Sequence, residues 1–194
     1  MGRFITSVVF AMLSVSGCSQ IYDTSEFEVN APLDSDPPTD CNDYCQTVLD
    51  VCVDNHAQYT TMAQCQQICA HMNLGSEADT SGNTLSCRDH FALEAIEAAA
   101  LHCPSAGPGG NGVCGTNCES FCQLQSRICT GANQQFNSVA ACLNICAGFD
   151  DSVSYNSTVL SGNSLACRIS HLSLASGAPD THCAHIAPDS PVCN

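Results

Sequence analysis

The sequence predicts a mainly α-helical protein built from two tandem disulfide-rich modules, with little or no β-sheet. Three observations support this fold class. Sixteen of the seventeen cysteines fall into two matching sets of eight, the closest cysteines are four residues apart, and the chain contains no tryptophan. Aromatic residues make up 6% of the chain, so large rings contribute little to a core. Disulfides, each worth roughly 2 to 4 kcal/mol in small domains, are expected to stabilise the modules instead.

The two cysteine sets repeat at a nearly constant displacement. The first five cysteines are displaced by 77 residues, the next two by 80 and the last by 79. Residues 82–88 match residues 162–168 in the same way, and His102 matches His182. Repetition at a fixed period indicates duplicated structural units, here residues 41–114 and 118–193. The disulfide candidates are Cys41, Cys45, Cys52, Cys65, Cys69, Cys87, Cys103, Cys114, Cys118, Cys122, Cys129, Cys142, Cys146, Cys167, Cys183 and Cys193.

The cysteine spacing predicts that each module opens with an antiparallel helical hairpin. Cys41, Cys45 and Cys52 lie on one face of a helix at about 100° per residue, and Cys65 and Cys69 share a face of the next. The turn is expected near residues 56–60, and near residues 131–135 in the second module.

Within the hairpins, distance from the turn favours two pairs in each module. These are Cys52 with Cys65, followed by Cys45 with Cys69. Their counterparts in the second module are Cys129 with Cys142 and Cys122 with Cys146. Because eight cysteines allow 105 connectivities, the other pairings stay open.

A third helix is expected to begin near Thr84 in the first module and near Ser164 in the second. Asn83 is a suitable cap for the first of these helices. Arg88 and its counterpart Arg168 are expected to bond carbonyls or an acid inside their modules. The Pro- and Gly-rich segments 104–112 and 187–191 then close the units as cysteine-bounded loops. The apolar positions expected of the first module's third helix are Leu85, Phe91, Leu93, Ile96 and Leu101.

The first eighteen residues have the parts of an export signal. A positive start, the apolar run 4–15 and small residues before a cysteine predict a signal peptide over residues 1–17. The sequence Val15-Ser16-Gly17-Cys18 resembles the lipobox of bacterial lipoproteins. This resemblance implies cleavage before Cys18 and lipidation of that cysteine, which leaves an even sixteen to pair. It also implies that Ser19 directs the protein to the outer membrane.

Residues 18–40 are expected to form a disordered acidic tether behind the lipidated cysteine. Without Arg3, the chain keeps three arginines and no lysine against nineteen acids, a formal charge of 3 minus 19, or −16. A field of this sign repels phosphate backbones, so nucleic-acid binding is not expected. The expected partners are a membrane, through the lipid anchor, and an unidentified protein or cation.

Metal binding is the alternative chemistry that the sequence offers. His182, Cys183 and His185 are clustered, and imidazole and thiolate ligands suit copper or zinc. A cysteine held in a disulfide cannot act as a ligand, however, so no cofactor is expected if all sixteen cysteines pair. The sequence contains no motif typical of a nucleophilic, phosphate-binding or zinc-dependent catalytic site. If the protein were an enzyme, a groove between the modules would be the place for an active site.

These observations together favour a non-enzymatic lipoprotein of the bacterial outer membrane, facing the periplasm or exposed at the surface. Its two modules are expected to act as a structural or binding unit of the cell envelope. A copper- or zinc-binding or redox protein is the alternative.

Overall fold

The computed structural model describes residues 40–194. This part of the chain consists of helices, turns and loops and contains no β-strand. The predicted fold class, two tandem disulfide-rich helical modules, is therefore confirmed. The predictions for the signal peptide 1–17, for Cys18 and for nearly all of the tether 18–40 lie outside the described residues.

The first repeat, residues 41–114, consists of three helices. They are α1 (Cys41–Val51), α2 (Met62–Cys69) and α3 (Leu85–Ala106), with a 3₁₀ turn at Asp54–His56. Each helix is capped at its N-terminus by a side-chain oxygen that accepts a hydrogen bond from a backbone N–H of the first turn. The three capping residues are Asp40, Thr61 and Thr84. The prediction that Asn83 caps α3 is wrong. Thr84 takes that position, and the amide oxygen of Asn83 accepts from Arg88 instead.

The second repeat, residues 118–193, follows the same plan. Its helices are α4 (Asn117–Ile128), α5 (Val139–Cys146), α6 (Leu165–Ala175) and α7 (Pro179–His182), with 3₁₀ turns at Gly131–Asn133 and Cys183–Ile186. The third helix of each repeat is broken at equivalent alanines. Ala98 has φ −149° and ψ 71°, and Ala178 has φ −147° and ψ 67°. The non-helical alanine is therefore a feature of both repeats. It changes the direction of the chain after the third helix.

All sixteen described cysteines are paired, and the two repeats use the same connectivity. The Cα–Cα distances of the eight bonds are 5.6 to 5.8 Å, within the usual range. Such a framework is typical of a secreted or otherwise extracellular protein, because cytosolic thiols stay reduced. The bonds are Cys41–Cys69, Cys45–Cys65, Cys52–Cys103, Cys87–Cys114, Cys118–Cys146, Cys122–Cys142, Cys129–Cys183 and Cys167–Cys193.

The preferred pairings within the hairpin are thus wrong in both repeats. Cys52 does not lie on the face of α1, because the helix ends at Val51 and Cys52 forms its C-cap. From there it reaches α3 and bonds Cys103. Cys129 likewise caps α4 and bonds Cys183, not Cys142. The cysteines that remain on the helices then pair in register across each hairpin.

The apolar face predicted for α3 is only partly correct. Leu85 is buried and Phe91 packs against the core, whereas Leu93, Ile96 and Leu101 are 52%, 61% and 68% exposed. The face of α3 that is fully buried carries small residues, including Ala92 and Ala95. Small side chains let α3 approach α1 closely, and the larger ones consequently point outward.

A pair of aromatic rings fills the core of each repeat. Tyr44 and Tyr59 meet edge to face, and the hydroxyl of Tyr59 donates to that of Tyr44 over 2.8 Å, which in turn donates to the Ala106 carbonyl over 2.6 Å. Phe121 and Phe136 meet in the same way at the equivalent positions. The hydroxyls of the first repeat need partners because they are buried, and the phenylalanines of the second repeat need none.

Arg88 is fully buried and is surrounded by neutral oxygen acceptors. Its Nε donates to the Gly107 carbonyl over 3.0 Å, and its Nη1 donates to the Thr84 carbonyl over 2.9 Å. Its Nη2 donates to Asn83 Oδ1 over 2.7 Å and to Ser120 Oγ, in the second repeat, over 2.9 Å. Burial lowers the pKa of Arg88, but arginine keeps its charge in proteins. The prediction that this arginine bonds carbonyls inside its module is confirmed.

Arg168 is the equivalent residue but makes fewer bonds. Its Nη1 donates to Asn163 Oδ1 and to the Ser164 carbonyl, each over 3.1 Å, and its guanidinium lies 3.9 Å from the centre of the Phe149 ring. Its buried Nε has no hydrogen-bond partner. The two arginines thus hold the same position with unequal numbers of polar contacts.

The repeats pack against each other through polar contacts as well as the Arg88–Ser120 bond. Tyr155 donates its hydroxyl to the Gln58 carbonyl over 2.9 Å, and the Ser157 amide donates to the Ala57 carbonyl over 2.8 Å. At the junction, Gly115 has φ +83°, and a Cβ there would lie 2.7 Å from the Cβ of Asn83. Glycine is therefore required where the chain passes from one repeat to the next.

Within the part of the chain that the structure describes, none of the helices combines the length and the apolar character needed to span a bilayer.

Disulfide mapping tests the connectivity. After digestion with pepsin at acid pH, which suppresses thiol exchange, we expect a peptide containing Cys52 to be joined to one containing Cys103. A second joined pair should contain Cys129 and Cys183. Mass spectrometry before and after reduction identifies both. A peptide joining Cys52 to Cys65 would contradict the observed pairing.

Replacement of Arg88 by methionine should destabilise the protein by about 3 kcal/mol, because the five hydrogen bonds of its guanidinium to oxygen acceptors are lost. Arg168→Met is the matched control and should cost about 1 to 2 kcal/mol, since it removes three hydrogen bonds, one of them as long as 3.5 Å, and one ring contact. Denaturant unfolding followed by circular dichroism, with the disulfides intact, measures both values. Equal losses of stability would contradict the expectation that the additional hydrogen bonds of Arg88, to Gly107 and to Ser120, contribute to stability.

Candidate functional site

Three histidine rings of the second repeat converge on one another. His171 lies on α6, His182 is the last residue of α7, and His185 follows in the 3₁₀ turn. The Nδ1 atom of His171 lies 3.2 Å from that of His182 and 3.2 Å from that of His185. One ring nitrogen from each of the three histidines lies within 4.8 Å of the others. His171 is buried, while the other two are half-buried.

The fold brings these rings together by turning the chain back over α6. The helical path breaks at Ala178, and α7 and the 3₁₀ turn then run alongside α6. The Cys129–Cys183 disulfide fixes the turn to the end of α4. The Ser190 hydroxyl donates to the His185 carbonyl over 2.7 Å. The backbone that carries His182 and His185 is therefore held on both sides.

The hydrogen bond on the far side of the His171 ring determines its tautomer. His171 Nε2 lies 3.1 Å from the Leu160 carbonyl oxygen, and a carbonyl can only accept. The proton of the neutral ring therefore belongs on Nε2, which leaves a lone pair on Nδ1. That lone pair faces both of the other histidines.

The surroundings of the cluster favour neutral imidazoles. Burial lowers the pKa of His171; the hydrogen bond to the Leu160 carbonyl opposes this shift in part, and the nearby His185 adds a smaller lowering effect. Burial also lowers the pKa of His182, followed by the effects of His171 and His185. Neutral imidazole is the form that binds metal ions.

The sequence-predicted metal set of His182, Cys183 and His185 is only partly assembled. The two histidines are neighbours, but Cys183 is bonded to Cys129, and a disulfide sulfur is not a thiolate ligand. The sequence prediction missed His171, which lies eleven residues before His182. Alignment of the two repeats could have indicated this residue, because His171 of the second repeat corresponds to Phe91 of the first.

A small cavity lies at the junction of the two repeats. The cavity there, lined by residues including Asn73, Asn83 and Arg127, has a volume of about 10 Å³, roughly the space needed for one water molecule. A larger depression of about 320 Å³ lies within the second repeat, between the end of α4 and the start of α5. The buried Gln125 Oε1 at its wall has no hydrogen-bond partner.

Comparison with known proteins identifies related sequences but no related solved structure. The model of the BfoA family C-terminal domain matches twice, over residues 39–117 and 115–190. A putative EGF-like domain-containing protein of Acanthamoeba polyphaga mimivirus is 38% identical over 75 residues, which are 38% of this chain. The chain spans only 14% of the length of that relative. No solved structure matches the chain.

The two matches of the family model are consecutive, and together they extend from residue 39 to residue 190 of the 194 residues. They follow the same duplication as the cysteines. The protein belongs to the BfoA family, whose C-terminal domain it contains in two tandem copies.

Proposed function

We propose that the protein is a lipoprotein of the bacterial cell envelope, anchored in the outer membrane through a lipid on Cys18. Its two repeats act as a non-enzymatic structural or binding module, held off the membrane by the acidic tether 18–40 and facing the periplasm or exposed at the surface. The partner is a protein or cation that this acidic module recognises.

The cysteine count is the observation that carries the anchor. The sixteen cysteines of the described part are all bonded to one another, so no cysteine of the same chain is left for Cys18. A free thiol in an oxidising compartment is reactive. Lipidation removes that thiol, and the sequence Val15-Ser16-Gly17-Cys18 is of the type at which lipoproteins are modified.

The architecture supports a role outside the cytosol. Eight disulfides suit an oxidising compartment. The mimiviral relative is named for an EGF-like domain, a class of small extracellular disulfide-rich domains. Each repeat is closed by four bonds, and the two are joined by hydrogen bonds such as Tyr155 to Gln58. A rigid unit of this kind loses little conformational entropy when it binds a partner.

Replacement of Cys18 by serine tests the anchor. In a bacterial host grown with labelled palmitate, we expect the unmodified chain to take up the label and to partition into detergent. Cys18→Ser should take up none and remain in the aqueous phase, because the lipid attachment site is gone.

A second variant separates lipidation from sorting. Ser19→Asp should keep the label but move the protein from the outer- to the inner-membrane fraction. An unlabelled wild-type chain, or a labelled Cys18→Ser variant, would contradict the anchor. An unchanged location of Ser19→Asp would contradict the role of Ser19 in sorting.

A further inference from the structure

We propose that His171, His182 and His185 bind one divalent transition-metal ion of the zinc and copper type. The site lies in the second repeat and has no counterpart in the first. It adds a metal-binding function to the structural role of the module and does not depend on the lipid anchor.

The spacing of the nitrogen atoms matches that of metal ligands. Zinc binds imidazole nitrogen at about 2.0 to 2.1 Å, and tetrahedral ligands at that distance lie roughly 3.3 Å apart. The Nδ1 atoms of His182 and His185 each lie 3.2 Å from that of His171. These two separations therefore already have the value that one ion bound between the rings would impose, and the three rings offer nitrogens within 4.8 Å of one another.

Hydrogen bonding alone does not satisfy this arrangement. The Nδ1 of His171 has one lone pair in the plane of the ring, and two other ring nitrogens approach it. One lone pair aligns well with a single donor, so the second contact is poor as a hydrogen bond. A cation between the three nitrogens uses one lone pair from each of them.

The outer contact of His171 is also typical of a metal ligand. Metal-bound histidines usually donate the second ring N–H to a carboxylate or a backbone carbonyl, which fixes the tautomer and the orientation of the ring. The Leu160 carbonyl lies in that position, 3.1 Å from His171 Nε2. The most buried of the three histidines thus also has its ring oriented by a backbone carbonyl.

The first repeat shows what the same positions look like without a site. Its residues Phe91, His102 and Ser105 correspond to the three histidines. Phe91 stacks on His102 with ring centres 5.7 Å apart, and His171 stacks on His182 at 5.5 Å. An apolar ring therefore satisfies the packing of this fold. Burying an imidazole in its place carries a desolvation cost, which a bound ion offsets.

The composition of the site limits the kind of ion. Imidazole ligands suit zinc and copper, whereas calcium and magnesium prefer oxygen. Three protein ligands leave at least one position of a four-coordinate ion for water. The whole chain has a net charge of −15, which also raises the local concentration of cations.

The test uses the full chain, purified without a histidine tag and dialysed against a chelator. Titration calorimetry with Zn²⁺, and separately with Cu²⁺, measures the affinity, and elemental analysis after gel filtration measures the bound metal. Co²⁺ serves as a spectroscopic probe, because tetrahedral cobalt absorbs strongly in the visible range. We expect one ion per chain, and a rise in the melting temperature when the ion is added.

The matched variants take their residues from the first repeat. His171→Phe and His185→Ser introduce side chains that the same fold already accommodates at Phe91 and Ser105. Each should weaken binding by about 100-fold or more, since loss of even an outer contact costs 10- to 100-fold. His102→Ala is the control and should bind like the unmodified chain, because His102 lies outside the cluster.

Loss of the ion in both variants, with binding kept in His102→Ala, supports the site. Binding that persists in both variants would place the ion elsewhere, for example on the acidic residues, and would overturn the proposal. The absence of stoichiometric Zn²⁺ or Cu²⁺ in the unmodified chain would also overturn it. None of these results bears on the lipid anchor, which is tested at Cys18.

Discussion

The structure depends on a covalent register between two short helices in each repeat. Cys41 and Cys45 on α1 are bonded to Cys69 and Cys65 on α2, respectively. These two disulfides fix the helices in an antiparallel arrangement. A helix of eight residues, such as α2, is not stable alone in water. The disulfides restrict the unfolded chain, each by roughly 3 to 4 kcal/mol for loops of this size in the entropy model. They permit a small core with few aromatic rings, and α3 then packs on a hairpin that is already closed.

Much of this architecture was predictable because duplication leaves a strong signal in sequence. The repeated cysteines, the helical class and the approximate beginning of α3 all followed from the sequence pattern, although α3 is capped by Thr84 and not by Asn83. The predicted pairing of Cys52 with Cys65 is wrong because it treats Cys52 as part of α1, whereas that helix ends one residue earlier, at Val51. The geometry of an antiparallel hairpin gives the correct pairs. In an antiparallel pair the residue numbers of bonded cysteines sum to a constant, and 41 with 69 and 45 with 65 both give 110.

Other features could not be read from one sequence because they depend on tertiary contacts. The exposure of Leu93 and Ile96 follows from the close approach of α3 to α1, which alanines make possible. The histidine cluster requires the break at Ala178, and the sequence gives little sign that His171 and His182 face each other. Comparison of the repeats offers the best clue, because a histidine replaces a buried phenylalanine. In a duplicated protein, each copy thus serves as a comparison for the other. One copy shows the side chains that packing requires, and a different side chain in the second copy indicates a candidate functional residue.

The burial of the arginines also affects how the protein survives digestion. Residues 40–194 contain no lysine, and two of their three arginines, Arg88 and Arg168, are inaccessible in the core. A trypsin-like enzyme therefore finds one exposed basic residue, Arg127, near the end of α4. Cleavage there would not release a fragment, because Cys118–Cys146 and Cys122–Cys142 join the chain on both sides of the cut. Against enzymes of this specificity, a nicked molecule stays in one piece.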